Sequence, residues 1–304
     1  LARFIEPQKV NDTAKFQKWT VPLGEPVENA LKRFLDLKLI IRADLVDHLI
    51  TIFNGPQLKQ MLVSRGLPVS GAKRAMATRL IEQDINGMNK LIEDSFVLVC
   101  SKAGIELART YLEYEDSRHT EAIKQSEIAL REKRFKDAAL IVAKYEADSV
   151  FPRGLWISIS TSRNNNHWKN YNPVQDEAKL GYIFTRTPKL LINKGWDKLP
   201  DIRIVAGMSY LWGNAEEAQI ECGAETQSVA NLLTSHSIFL FKMDEARQLG
   251  YKYMRVLTCN DGIVCKPCKK LAKTKHRIDD VPELPYEFCE EESGCRCWVG
   301  VVVE

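Results

Sequence analysis

The sequence predicts a mainly α protein: a helical body that carries an N-terminal helix–extended–helix hairpin and ends in a small cysteine-rich β module. Three observations predict it. Apolar residues recur at three- and four-residue spacing over most of the 304 residues. Period-two alternation is confined to short stretches, chiefly after Gly250. Six of the eight cysteines crowd between Cys259 and Cys297. With 45% hydrophobic residues the chain can bury a sizeable core. A formal net charge of only +3 means that any basic site must be local. No apolar run approaches the roughly 18 residues of a membrane span, so no membrane is expected as a partner. Leu1–Thr20 is polar and charged, which is not the pattern of a signal peptide.

The elements follow in order. Residues 1–20 read as an extension or an early helix. From Val27 the spacing of Ala30, Leu31, Phe34 and Leu35 marks an amphipathic helix, and a second spans Ala43–Ile52. Asn54–Gln57 is a turn signal. Leu58, Met61 and Leu62 then share one helical face, which Gly66 ends as a C′ glycine does. Ser70 is the expected N-cap of the next helix, whose apolar face is Met76, Ala77, Leu80 and Ile81. Lys102–Ala147 reads as one helical hairpin that Phe151–Gly154 breaks. Leu155–Ser160 alternates as a short strand and leads into a polar loop, Thr161–Pro173. Helical patterns resume in Pro200–Trp212 and in a long helix over Glu225–Leu249, with Val229, Leu232, Leu233, His236 and Leu240 inward. Tyr251–Leu257 and Trp298–Val303 read as strands. The resulting segments are 1–54, 55–91, 102–250 and 251–304.

Gln57–Lys90 holds six cations, Lys59, Arg65, Lys73, Arg74, Arg79 and Lys90, against the acids Glu82 and Asp84. Lys73 and Arg74 fall in the first turn of a helix, where cations oppose the helix dipole. An anion at that helix end would gain from the free amides, the dipole and both side chains, and a phosphate backbone is the obvious anion. "LKQMLVSRGLPVSGAKRAMATRLIE" resembles the SAP motif, a DNA-binding hairpin, through Leu58, Leu62, Arg65-Gly66-Leu67-Pro68, Ser70-Gly71, Lys73 and Arg79-Leu80. Met76 stands where the family usually has Leu. The resemblance implies duplex DNA as partner, held mainly by its phosphates, with Arg65, Ser70, Gly71, Lys73, Arg74 and Arg79 as contacts.

Cys265 and Cys268 form a C-x-x-C pair, and Cys289, Cys295 and Cys297 return some twenty residues later. In a long chain without a signal peptide this spacing favours reduced thiols on a metal over disulfides. Four thiolates close a tetrahedral zinc site with no open position, so the zinc is expected to be structural. The expected ligands are Cys265, Cys268, Cys295 and either Cys289 or Cys297, with His276 in reserve. The order of long helix, strand, Asp261, C-x-x-C, Leu271, Pro-rich loop, Cys295-Arg296-Cys297 and last strand resembles the C-terminal module of phage Mu-F-like minor head (head-morphogenesis) proteins. Here "KLAKTK" replaces a Leu-Xaa-Gly turn, and no His precedes the Cys-Arg-Cys; Cys289 is the substitute. The resemblance implies a prophage or phage protein acting in head morphogenesis or DNA packaging. Its partners would include capsid or portal proteins, and its place would be the bacterial cytoplasm or the virion.

No catalytic residue is assigned. The histidines His48, His119, His167, His236 and His276 form no triad or metal pattern, and no Gly-rich phosphate loop is present. Asp176–Lys179 after the Leu155–Ser160 strand keeps open the alternative of a metal-dependent nuclease, or another DNA-processing protein, targeted by the SAP-like hairpin.

Overall fold

A computed structural model of the protein describes residues 1–10, 20–149, 171–259, 263–291 and 294–302. The expected strand at Leu155–Ser160, His167 with most of its loop, and Asp261 lie outside the described residues. The chain is mainly α, with small antiparallel sheets, and divides into two compact units, Leu1–Ser117 and Arg118–Glu304. The four segments read from the sequence cut it more finely, and none of their boundaries coincides with this one.

Unit 1 begins with a single turn of 3-10 helix and a two-residue strand, β1 (Gln8–Lys9), followed by α1 (Thr20–Leu23) and α2 (Val27–Asp36). Strand β2 (Ile40–Arg42) leads to α3 (Leu45–Ile52), α4 (Gly55–Val63), α5 (Lys73–Gln83) and α6 (Ile85–Leu91). Strand β3 (Val97–Cys100) then enters between β1 and β2, antiparallel to both, with Gln8 opposite Leu98 and Ile40 opposite Cys100. Helix α7 (Lys102–Arg131) follows.

The helix starts have local causes. Asp44 caps α3 by accepting from the Asp47 amide. Asn54 and Gln57 form a reciprocal capping box at α4, with Pro56 inside the first turn. Helix α4 stops where Gly66 takes φ 66°: Leu67 N–H bonds Leu62 C=O at 2.9 Å and Gly66 N–H bonds Val63 C=O at 3.0 Å. The expected faces are inward: Leu58, Leu62, Met76, Ala77 and Leu80 are buried, joined by Leu49 of α3 and Met88 and Ile92 from the α6 end. The hairpin therefore shares its core with α3 and α6.

In unit 2, the last turns of α7 pack with α8 (Phe135–Asp148), α9 (Val174–Thr185), α10 (Lys189–Lys194), α11 (Ile202–Trp212) and α12 (Ala224–Gln248). Helix α11 is buried along its whole length except Arg203 and so reads as a continuous apolar run. Trp212 stands at the centre; its indole N–H donates to the Ser126 hydroxyl at 3.1 Å, and Tyr145 and His119 pack against its ring. A polar knot sits beside it. Asp176 of α9 is fully buried and accepts hydrogen bonds from the Tyr171 hydroxyl at 2.8 Å and from the Tyr210 hydroxyl, with Lys179 at 3.9 Å. Burial of Tyr171 and Tyr210 beside that carboxylate pushes both phenols up, so they remain donors.

Beyond α12 the chain forms the sheet β5-β4-β6 from β4 (Tyr253–Leu257), β5 (Lys275–Arg277) and β6 (Trp298–Val301), all antiparallel, with α13 (Lys266–Leu271) between β4 and β5. Phe239, Met243 and Ala246 of α12 bury Met254, Val256 and Val299 of the sheet. Among the described residues no helix is long and apolar enough to cross a membrane.

The Asp176 knot generates a stability prediction. Tyr210→Phe removes a hydroxyl donor to a buried carboxylate and should cost about 1–3 kcal/mol. Hydrogen exchange at the amides of α9 and α11 should show protection falling by that amount; unchanged protection would mean that the carboxylate is satisfied without Tyr210.

Candidate metal centre and nucleic-acid interface

The cysteines come together because α13 and the return segment before β6 meet, with the return segment laid along α12 at Leu232. Cys265 is the N-cap of α13 and Cys268 lies one turn on, so both sulfurs leave the same end of a short helix. The return segment brings Cys289 and Cys295 against them, with Leu190 of α10 packed on Cys268, Cys289 and Cys295. Gly294 makes this approach possible. It has φ 98°, and a Cβ there would stand 2.8 Å from the Leu232 side chain of α12.

The sulfurs fall into two triplets, Cys265/Cys268/Cys289 and Cys268/Cys295/Cys297, each within 4.8 Å, which share Cys268. Cys265 Sγ lies 3.8 Å from Cys289 Sγ, and Cys268 Sγ lies 3.9 Å from Cys295 Sγ. Four sulfurs bound tetrahedrally at about 2.3 Å from one ion are about 3.8 Å apart. A small void of about 10 Å³ is bordered by Cys265, Cys268, Cys289 and Cys297. All eight cysteines are free thiols, so the cluster can hold a metal ion. Exposed Cys259 stays outside both triplets, 3.7 Å from the Arg296 carbonyl, and His276 sits on β5, 3.5 Å from the Leu271 carbonyl.

Electrostatics within the cluster favour a cation. Cys268, Cys289 and Cys297 donate to the Cys295 sulfur and hold it far below the ordinary thiol range, against the opposing effect of its burial. Cys268, donating to Cys289, Cys295 and Cys297 and buried as well, is held far above it. At Cys289 and Cys297 the hydrogen bond with Cys268 lowers the pKa, but Cys295 and burial prevail and push both up to about 12. Burial raises Cys265, yet the amides of Glu290 and Cys268 donate to its sulfur and its pKa ends lowered. Without a cation the cluster keeps charge on few sulfurs; a divalent ion removes the mutual repulsion that keeps the others protonated.

The basic hairpin differs from expectation in detail. Ser70 is not the N-cap. Gly71 turns the chain at φ 104°, and Ala72 takes the cap position with no side chain to fill it. The connector from Pro68 to Ala72 is exposed, as are Arg74 and Ala75 in the first turn of α5. Several cations are engaged within the unit. Lys73 does not simply face water: its amine donates to the Ile50 carbonyl in the last turn of α3, a group that helix geometry leaves without a partner. Arg79 holds the Pro68 and Ser70 carbonyls and so shapes the connector. Arg65 reaches the Met61 carbonyl and pairs with Asp84, both at 3.3 Å. Arg74 pairs with Asp47 but remains 61% exposed. Most of these partners lie on neighbouring helices or across the connector, where spacing along the chain does not show them.

Asp176 and Lys179, read as the faint nuclease signal, lie on helix α9 and belong to the buried knot. His48 bonds Ser95 at 2.9 Å, and His236 bonds the Leu284 carbonyl at 2.7 Å; both are interior. No protein-family model, curated protein or solved structure matches the chain.

The partners of Lys73 and Arg74 separate their roles. Lys73→Ala should lower hydrogen-exchange protection over residues 45–92 by about 1–3 kcal/mol, because a charged donor to a helix end is lost. Arg74→Ala, which removes an exposed pair, should change it by less than about 1 kcal/mol. Equal effects would contradict the structural assignment of Lys73.

Proposed function

We propose that this chain is a DNA-binding protein of prophage or phage type, with a structural zinc ion in its C-terminal module, acting in head morphogenesis or DNA packaging. The observation that carries the DNA reading is the exposed start of α5, where the N-cap Ala72 supplies no side-chain cap to the first-turn amides and Arg74 stands exposed beside them. Free amides, the positive end of the helix dipole and an exposed guanidinium converge there, a combination suited to a phosphate oxygen. The SAP-like sequence points to the same surface. Arg74, exchanging its pair with Asp47 for a phosphate, and the amides are the primary contacts in this reading. Lys73 and Arg79 fix the connector that presents them, and Arg65 braces the end of α4.

Zinc fits the cysteine cluster by donor chemistry, since thiolates at tetrahedral spacing suit that ion. Cys265, Cys268, Cys289 and Cys295 are the ligands in this reading; the Cys265–Cys289 and Cys268–Cys295 separations each match the edge of a four-sulfur tetrahedron. With all four positions taken by sulfur, the ion is structural: it ties α13 and the return segment to α12. The phage assignment rests on the arrangement of long helix, strands and cysteines that resembles minor head proteins, and capsid or portal proteins are its partners.

The test is duplex DNA binding measured over a range of salt concentrations. Arg74→Ala should weaken binding regardless of DNA sequence and reduce the slope of log K against log salt by about 0.9 or less. Ala75→Glu places an acid in the first turn of α5, which suits the helix dipole and preserves the fold, yet should repel phosphate and weaken binding further. Wild-type protein that fails to bind duplex DNA at low salt, or an Ala75→Glu variant that binds as well as wild type, would refute the interface.

A further inference from the structure

We propose that a cavity beside α12 binds a small zwitterion of the α-amino-acid class, with its ammonium at His236 and Glu283 and its carboxylate at Arg186. The site shares no residue with the cysteine cluster or the basic hairpin, so it rests on neither the zinc nor the DNA reading. His236, Asp244 and Arg247 share one side of α12. Tyr182 and Arg186 at the end of α9, and Glu283 from the segment after β5, enclose that side in a cavity of about 480 Å³.

Some of these groups satisfy one another. Arg247 pairs with Asp244 at 3.2 Å, and Asp244 also accepts from the Tyr182 hydroxyl. Three groups remain. His236 is 2% exposed yet borders the cavity. Its Nδ1 lies 2.7 Å from the Leu284 carbonyl, which can only accept, so Nδ1 carries the proton. Burial above all, with Arg186 also opposing a second proton, holds the imidazole below its ordinary pKa, against the pull of the Leu284 carbonyl and Glu283. Nε2 is therefore an acceptor, and it faces a second acceptor, Glu283 Oε1, at 3.5 Å. The Lys189 amide reaches the other oxygen of Glu283, at 3.4 Å. Among the described residues none donates to the facing pair. The third group is Arg186, the exposed C-cap of α9, whose guanidinium pairs with no carboxylate among the described residues.

These leftovers define the ligand. Two acceptors that face each other at the wall of a cavity call for a donor between them, and the charge on Glu283 favours a cationic one. A lone cation would be repelled by Arg186, and a lone anion by Glu283. A molecule that carries both charges meets both demands. Its ammonium has three N–H donors, enough for Nε2 and Oε1 together. Its carboxylate suits the planar fork of the guanidinium. The cavity falls in the size range of small-molecule sites and leaves space for an amino-acid side chain.

The experiment uses the full chain with isotope-labelled histidine, so that the His236 ring is read by NMR. The probes are the L-amino acids, each added singly, with methylamine and acetate as ligands of one charge. At least one amino acid should shift the His236 ring signals in a saturable way, and neither methylamine nor acetate should do so at the same concentration. Arg186→Gln and Glu283→Gln should each weaken that binding by about tenfold or more, the worth of one hydrogen bond to a charged group. Both variants should unfold at the wild-type temperature without ligand, since Arg186 has no pair to lose and glutamine keeps the shape of Glu283. Three results would overturn the site: no amino acid that shifts His236 in the wild type, methylamine or acetate binding as tightly as the best amino acid, or an affinity that Arg186→Gln leaves unchanged. The wild-type titration decides the matter even if a variant does not fold.

Discussion

The approach of thiols from two distant turns is the constraint on which the C-terminal module depends. Between β4 and β6 the chain is rich in Lys, Glu and Pro and offers few large apolar side chains. Its small helix α13 is only six residues long, too short to be stable by itself. Leu284 anchors part of this segment in the core beneath the sheet, and sulfur gathers the rest: Cys268, Cys289 and Cys295 are buried together with Leu190, and Gly294 lets the backbone close on Leu232. Such a cluster is costly while empty, because buried thiols must share protons or repel as thiolates. A cation turns the same geometry into a staple for the part of the segment around the cysteines.

Helix α12 carries that constraint into the rest of unit 2. Its first half, through Val229, Ala230, Leu232 and Leu233, belongs to the core around Trp212. Its second half, through Phe239, Met243 and Ala246, forms the floor of the C-terminal sheet. One continuous helix thus serves two cores, with buried His236 between them holding the Leu284 carbonyl. The sequence division at 250/251 falls at the end of this helix, so it separates segments that share a structural beam. The cysteine segment touches this helix through Gly294 on Leu232, so it borders both cores.

Much of this was legible in the sequence, and the exceptions have physical reasons. The long helices announced themselves by period: the spacing of Val229, Leu232, Leu233 and His236 gave α12 to within one residue at either end. Gly66 was readable as a helix stop because a positive φ favours glycine. The sheet of unit 1 was not legible. Its strands are two to four residues long, and β3 is paired on both edges and buried, which erases alternation. The hairpin cations showed their charge but not their partners: Lys73 meets Ile50 from twenty-three residues away, and spacing along the chain cannot reveal that. For the same reason the cysteine spacing announced a metal-type cluster yet left Cys289 and Cys297 as equals. Only the fold places Cys289 opposite Cys265 and Cys297 in the second triplet.

The central claim is that four sulfurs and no other atoms hold an ion at this centre. X-ray absorption at the zinc edge of the purified protein tests it most directly. The account predicts a first shell of four sulfur scatterers at about 2.3 Å, with no nitrogen or oxygen. A shell containing a lighter atom at about 2.0–2.1 Å would bring in a histidine, carboxylate or water and contradict the closed, structural site.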